Sequence, residues 1–129
     1  MLIDYLIDGT SADEAARLLE TEAVVVSAVS VFELLAGVTA SVHVQQRAEL
    51  IKLVEVAPVT ETIALRAGEL YTTLRRGGVT IDNEDILIAA TAVTLGIPLF
   101  TINARHFEKV PGLSLHSVPG EAPAAETSG

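Results

Sequence analysis

The sequence predicts one α/β domain, a parallel sheet flanked by helices, and three observations lead there. Short runs of β-branched and other apolar residues, such as Ala23–Ser27 and 97–101, have the length and composition of buried strands. Between them lie longer segments whose apolar residues recur at helical spacing. Glycines fall where those segments stop, at Gly37, Gly77-Gly78 and Gly96. Strand and helix therefore alternate, the pattern of a parallel sheet that holds its ligands at the carboxyl ends of its strands. A chain of 129 residues, 50% of them hydrophobic, supplies one sizeable core and not two.

In chain order, residues 1–7 open inside an apolar pattern that Asp8-Gly9-Thr10-Ser11 breaks. Residues 12–20 resume at helical spacing, with Ala15, Leu18 and Leu19 on one side. The valine run 23–27 is a buried strand, and Ser30 starts a helix through Leu35 that ends near Gly37. Residues 42–53, with Val44, Ala48 and Ile51 among polar neighbours, form an amphipathic helix, and 54–59 a brief strand. A further helix over 62–75 is stopped by Gly77-Gly78. Asp82 caps a helix that runs to about Leu95 and ends at Gly96; strands follow at 97–101 and 112–118. The segment 119–129, rich in Pro, Ala, Glu, Thr, Ser and Gly, has almost nothing to bury and is expected to be a disordered tail beyond a domain over 1–118.

A net charge of −9 excludes nucleic-acid binding through a broad basic surface, since such binding draws its affinity from phosphate neutralisation. Any RNA contact must be local. The acidity fits either carboxylates gathered around a divalent cation or a basic partner protein docking elsewhere. With zero cysteines there is neither a disulfide framework nor a thiolate metal site. No apolar run approaches the roughly 18 residues of a membrane span and no basic segment precedes an apolar one at the N-terminus, so a cytoplasmic protein is expected.

Two accounts of Glu33 stand side by side. Ser30-Val31-Phe32-Glu33 matches a capping box, which stabilises a helix by about 1 kcal/mol. A carboxylate at Glu33 also lies just past a strand's carboxyl end, where such sheets place ligands. Asp82-Asn83-Glu84-Asp85 crowds three acids into one helix start, and capping with the helix dipole accounts for Asp82 and Glu84. Asp85 is different. Ile88, Ala89 and Ala92 follow it on an inward face, so its carboxylate points towards the sheet, where a divalent cation is one of few partners that offset burial. Thr101-Ile102-Asn103 closes the next strand; Arg105, His106 and Lys109, each alone a solvated surface residue, together can steer a phosphate. His43 and His116 share no ligand spacing with His106 and read as structural.

These blocks resemble, in order, the PIN domains of bacterial VapC toxins. Leu2-Ile3-Asp4-Tyr5-Leu6 is similar to the segment after that family's opening Asp-Thr/Ser-Asn/Ser; Phe32-Glu33-Leu34-Leu35-Ala36-Gly37 resembles the block with its second acid. Asp85-Ile86-Leu87-Ile88-Ala89-Ala90-Thr91-Ala92 resembles the block with the third acid, and 99–107 the one that follows. The resemblance implies a PIN-like three-layer α/β fold and an endoribonuclease toxin that depends on Mg²⁺ or Mn²⁺. Glu33 and Asp85 match the family's second and third catalytic, metal-binding acids, and Asn103 stands where the family has a further Asp or Asn ligand; Arg105 and His106 are expected to meet substrate on the strength of their charge alone. It also implies a cognate antitoxin that covers the acidic pocket and pairs toxin chains into homodimers. An oxygen-rich pocket without Cys or paired His suits Mg²⁺ or Mn²⁺ better than zinc.

On this alignment the first, central strand and the first acid are absent from the chain, and Asp4 falls on a helix position. The expectation is then weak metal binding and little activity, from either a late start or a true fragment. A catalytically inactive remnant with only a protein-binding role is the alternative. A phospho-acceptor domain of response-regulator type lacks the nucleophilic Asp and later Lys it would need.

Overall fold

A computed structural model describes residues 4–8, 23–36 and 41–117. It contains strand β1 (Asp4–Asp8), β2 (Ala23–Ser27), helix α1 (Ala28–Ala36), α2 (Ser41–Ile51), β3 (Glu55–Ala57), α3 (Glu61–Arg76), α4 (Asn83–Leu95), β4 (Leu99–Thr101), a 3₁₀ turn (Ala104–His106) and β5 (Leu115–Ser117). The helix expected at 12–20, the helix end at Gly37 and the tail 119–129 lie outside the described residues.

All strands run parallel in the order β3-β2-β1-β4-β5. This corrects the expectation of a missing central strand. Residues 4–8 are that strand, and they are not part of a helix. Their burial explains why: Leu6, Ile7 and Asp8 are 0%, 3% and 5% exposed, so both faces of the segment are covered. Alternate residues point to opposite sides. Leu6 packs with Val25, Leu99 and the helices α3 and α4, while Ile7 joins Val24, Val26, Val54 and Phe100 on the other face.

The chain builds outward from β1 through β2 to β3, then returns to place β4 on the opposite side of β1. The strand order thus reverses between β1 and β4, the crevice in which an open parallel sheet binds its ligand. Asp8 is in register with Thr101 at that point.

Helix α3 forms because Ile63, Ala67, Leu70 and Leu74 fall on one stripe and are buried there, with the Thr60 hydroxyl accepting from the Ile63 N–H at 3.2 Å as N-cap. Helix α4 is covered on most sides; Ala89, Ala90 and Ala92 are fully buried, and their small side chains let the helix lie close to its neighbours. Gly96, at φ 68°, ends it in the left-handed conformation, with the Ile97 N–H donating to the Ala92 carbonyl. Strands β3, β4 and β5 are shorter than the sequence patterns, because only three residues of each pair with a neighbour. Among the described residues no helix is long and apolar enough to cross a membrane.

Candidate active site

Strand β1 delivers Asp8 to the carboxyl edge of the sheet, buried, with both carboxylate oxygens engaged. Oδ1 accepts from the Ser30 hydroxyl at 3.1 Å and Oδ2 from the Thr101 hydroxyl at 3.3 Å. Thr101 Oγ1 in turn accepts from the Asn103 N–H at 2.9 Å, which fixes the loop leaving β4. The expectation that no carboxylate closes the central strand is therefore corrected: Asp8 stands there. Its neighbours Gly9, Thr10 and Ser11 are turn-forming types, so the sequence presents Asp8 as one more breaker after an apolar run.

The capping box at Ser30 and Glu33 does not form. Helix α1 starts at Ala28, and the fully buried Ser27 accepts from the Val29 N–H at 3.0 Å. With the cap one turn earlier, the Ser30 hydroxyl is free to donate to Asp8 and Glu33 lies at the rim of a cleft. Asp82 occupies the N-cap position of α4 but makes no capping hydrogen bond with its side chain, so its carboxylate also faces the cleft.

This cleft, about 360 Å³, gathers Asp8, Glu33, Asp82, Asp85 and Asn103, with Ser30, Leu34, Arg47 and His106 completing its wall. Asp85, on the first turn of α4, has a side chain 14% exposed, and its Oδ2 lies 3.2 Å from His106 Nδ1. Arg47 donates to the Leu34 carbonyl at 2.9 Å. The sequence reading overlooked Asp8, Arg47, Ser30 as a partner of Asp8, and the double use of Thr101.

The electrostatics follow from this crowding. Burial raises the Asp8 pKa, against the opposing pull of the Ser30 and Thr101 hydroxyls and of His106. Asp85 is raised by burial and by Asp8 and Asp82, with His106 opposing. Glu33 is raised by partial enclosure and then by Asp8, Asp85, Glu84 and Asp82. Ionised together, these groups repel one another, and a cation between them relieves the repulsion.

Among the described residues no three Asp, Glu, His or Cys side chains already converge on one ion position. The donors are nevertheless of the right kind, carboxylate and carboxamide oxygens on a shared cleft, which is the chemistry hard divalent cations select. Side by side with the acid cleft runs a second one of about 380 Å³ that shares Asp82, Asp85 and His106 with it and carries Arg105 and Lys109. The cationic residues singled out in the sequence thus do collect beside the acids. His116 is elsewhere, stacked on Phe100 with centroids 4.8 Å apart, and the His43 side chain lies outside those described.

A doubly wound parallel sheet with a carboxylate cleft at its switch point defines the class, and comparison with known proteins agrees. The PIN domain family matches residues 1–113, and the chain belongs to that family. It is 31% identical over 117 residues to Ribonuclease VapC1 of Methanocaldococcus jannaschii, covering 89% of this chain and 79% of that protein. It is 38% identical over 104 residues to Ribonuclease VapC10 of Mycobacterium tuberculosis, covering 78% and 75%. Its fold is similar to that in the crystal structure of VapBC2 from Rickettsia felis bound to a promoter DNA fragment, at TM-score 0.74 and 21% identity, covering 89% of this chain and 98% of that one.

Proposed function

We propose that this chain is an endoribonuclease toxin of the VapC kind, dependent on Mg²⁺ or Mn²⁺, acting in the cytoplasm as a homodimer and neutralised by a cognate antitoxin. The observation that carries the reading is the meeting of Asp8, Glu33, Asp82 and Asp85, from three separate elements, at one cleft where the strand order reverses. Kinship with ribonucleases that match four-fifths or so of this chain supports the RNA substrate. The reading of an inactive remnant rested on an absent central strand, and β1 removes that premise.

Asp8, Glu33 and Asp85 would hold the cation, with Asn103 at the edge of the set. When bound, such a cation activates water at neutral pH and offsets charge developing on the scissile phosphate. The chain's own residues prepare for this. Ser30 and Thr101 orient the Asp8 carboxylate, and both leave part of each oxygen's accepting capacity unused. His106 holds Asp85 from the second cleft, and Arg105 and His106 stand where an incoming phosphate is met.

The test is cleavage of RNA oligonucleotides by the purified chain in Mn²⁺ and in EDTA, beside Asp85→Asn. Cleavage that needs the cation and falls at least about 10²-fold in the variant is expected. Equal cleavage with EDTA, or by Asp85→Asn, overturns the proposal.

A further inference from the structure

We propose that the second cleft is a nucleotide slot, which seats the base and phosphate of the RNA residue next to the scissile bond. This rests on the ribonuclease reading and states where the strand is gripped. Its floor is apolar: Leu74 and Val110 are buried, and Val79 and Ile81 partly so. Its rim is polar and exposed, with Thr80, Arg105 and Lys109. A nucleotide presents the matching surfaces, a base with apolar faces joined to an anionic phosphate.

Size and position agree with this occupant. A volume of about 380 Å³ falls in the lower part of the range of small-ligand sites, roughly 300–1,000 Å³. Because Asp82, Asp85 and His106 wall both clefts, a strand leaving the acids enters the slot directly. The rim is also well anchored. Phe107, 1% exposed, pins the end of the 3₁₀ turn that carries Arg105 and His106 into the core.

Charge points the same way. Among the described residues neither Arg105 nor Lys109 is drawn into an ion pair, whereas Lys52 and Arg66 are, and His106 is taken up by its contact with Asp85. In a protein of net charge −9, unpaired cations beside an acidic cleft are a local exception to a surface that otherwise repels RNA. The apolar floor gives them a selectivity that a bare phosphate site lacks.

Isotope-labelled chain in EDTA is titrated with nucleoside monophosphates, ribose phosphate and inorganic phosphate, and amide resonances are followed by NMR. The slot predicts shifts at Val79, Thr80 and Arg105, and nucleotides binding at least about tenfold more tightly than ribose phosphate. Thr80→Trp, at the exposed mouth, should remove the preference for nucleotides; Lys109→Glu should weaken nucleotide and phosphate alike without reaching the core. Ribose phosphate binding as tightly as nucleotides, or shifts confined to other surfaces, overturns the slot. The same samples are then given RNA and Mn²⁺. Cleavage without nucleotide preference sinks the slot and spares the ribonuclease reading; nucleotide binding at these residues without cleavage does the reverse.

Discussion

Replacing Asp8 by Asn should make the metal-free protein more stable at neutral pH while abolishing its use of a cation. The carboxylate is 5% exposed; among the described residues it accepts from two hydroxyl donors and is paired with no cation, His106 acting on it only from a distance, and burial holds its pKa above the ordinary carboxylate value. An acid whose pKa is higher folded than unfolded binds its proton more tightly in the folded state. The stability this contributes is complete below the unfolded value and is lost as pH rises through the raised folded one. At neutral pH the ionised Asp8 is therefore a cost. Desolvation of one buried ion costs several kcal/mol, and two hydrogen bonds to a charged acceptor return roughly 1 kcal/mol each beyond neutral ones. Asparagine removes the charge and keeps the shape: its oxygen accepts from Ser30, and its amide donates to Thr101 Oγ1, which takes the acceptor away from the buried Thr101 hydroxyl hydrogen at a cost of about 1 kcal/mol. A net gain of about 1–2 kcal/mol follows, equivalent to a melting temperature higher by roughly 3–8 °C for a domain of this size. Thermal unfolding of both proteins in EDTA should show this gap at about pH 7 and its closure as pH falls through the raised folded value of Asp8. Added Mn²⁺ should raise the melting temperature of the parent and not that of Asp8→Asn. An Asn variant less stable than the parent in EDTA at neutral pH would refute the reasoning, since the carboxylate would then be stabilised by something other than the groups described.

Thr101→Val removes a donor to Asp8 and an acceptor for the Asn103 N–H; a loss of about 1–3 kcal/mol in chemical denaturation and a 10- to 100-fold weaker Mn²⁺ affinity by calorimetry are expected. Glu33→Gln, at an exposed rim position, should leave denaturation in EDTA unchanged or slightly improved, because Asp8 and Asp85 lose a repelling neighbour, while Mn²⁺-dependent cleavage falls by roughly 10-fold or more. Ala89→Leu forces extra methylenes against a fully buried surface, and a destabilisation of about 1–3 kcal/mol should appear in urea titrations together with reduced cleavage.

Much of the fold was legible because its signals are local and redundant. Helix α3 shows one apolar stripe, an N-cap at Thr60 and a glycine stop, and α4 is bounded by Asp82 and Gly96. Asp85 was legible as a functional candidate because the inward face of α4 carries its first turn to the sheet. The family likeness pointed to the same kind of site. Residues 4–8 were misread when the family alignment set them after the first strand; an apolar run this short fits strand or helix equally well by periodicity, and only burial from both sides decides. Asp8 was lost with it. Ser30 and Thr101 illustrate a second limit, since a hydroxyl has several local backbone partners at hand and nothing nearby in sequence predicts a donor bond to a residue 22 or 93 positions away.

The alanines of α4 have a consequence for how this protein can fail. They carry no chemistry, yet they set how closely the helix that bears Asp85 rests on its neighbours, and packed interiors transmit small changes in volume as displacement. Loss of function is then available through two unlike routes, erasing an acid or thickening a methyl-sized contact one or two turns away. The second leaves every charged group in place. For a toxin of the kind proposed, that widens the set of silent-looking substitutions by which a cell escapes it, and it makes an intact row of acids a poor guide to whether a given relative is still active.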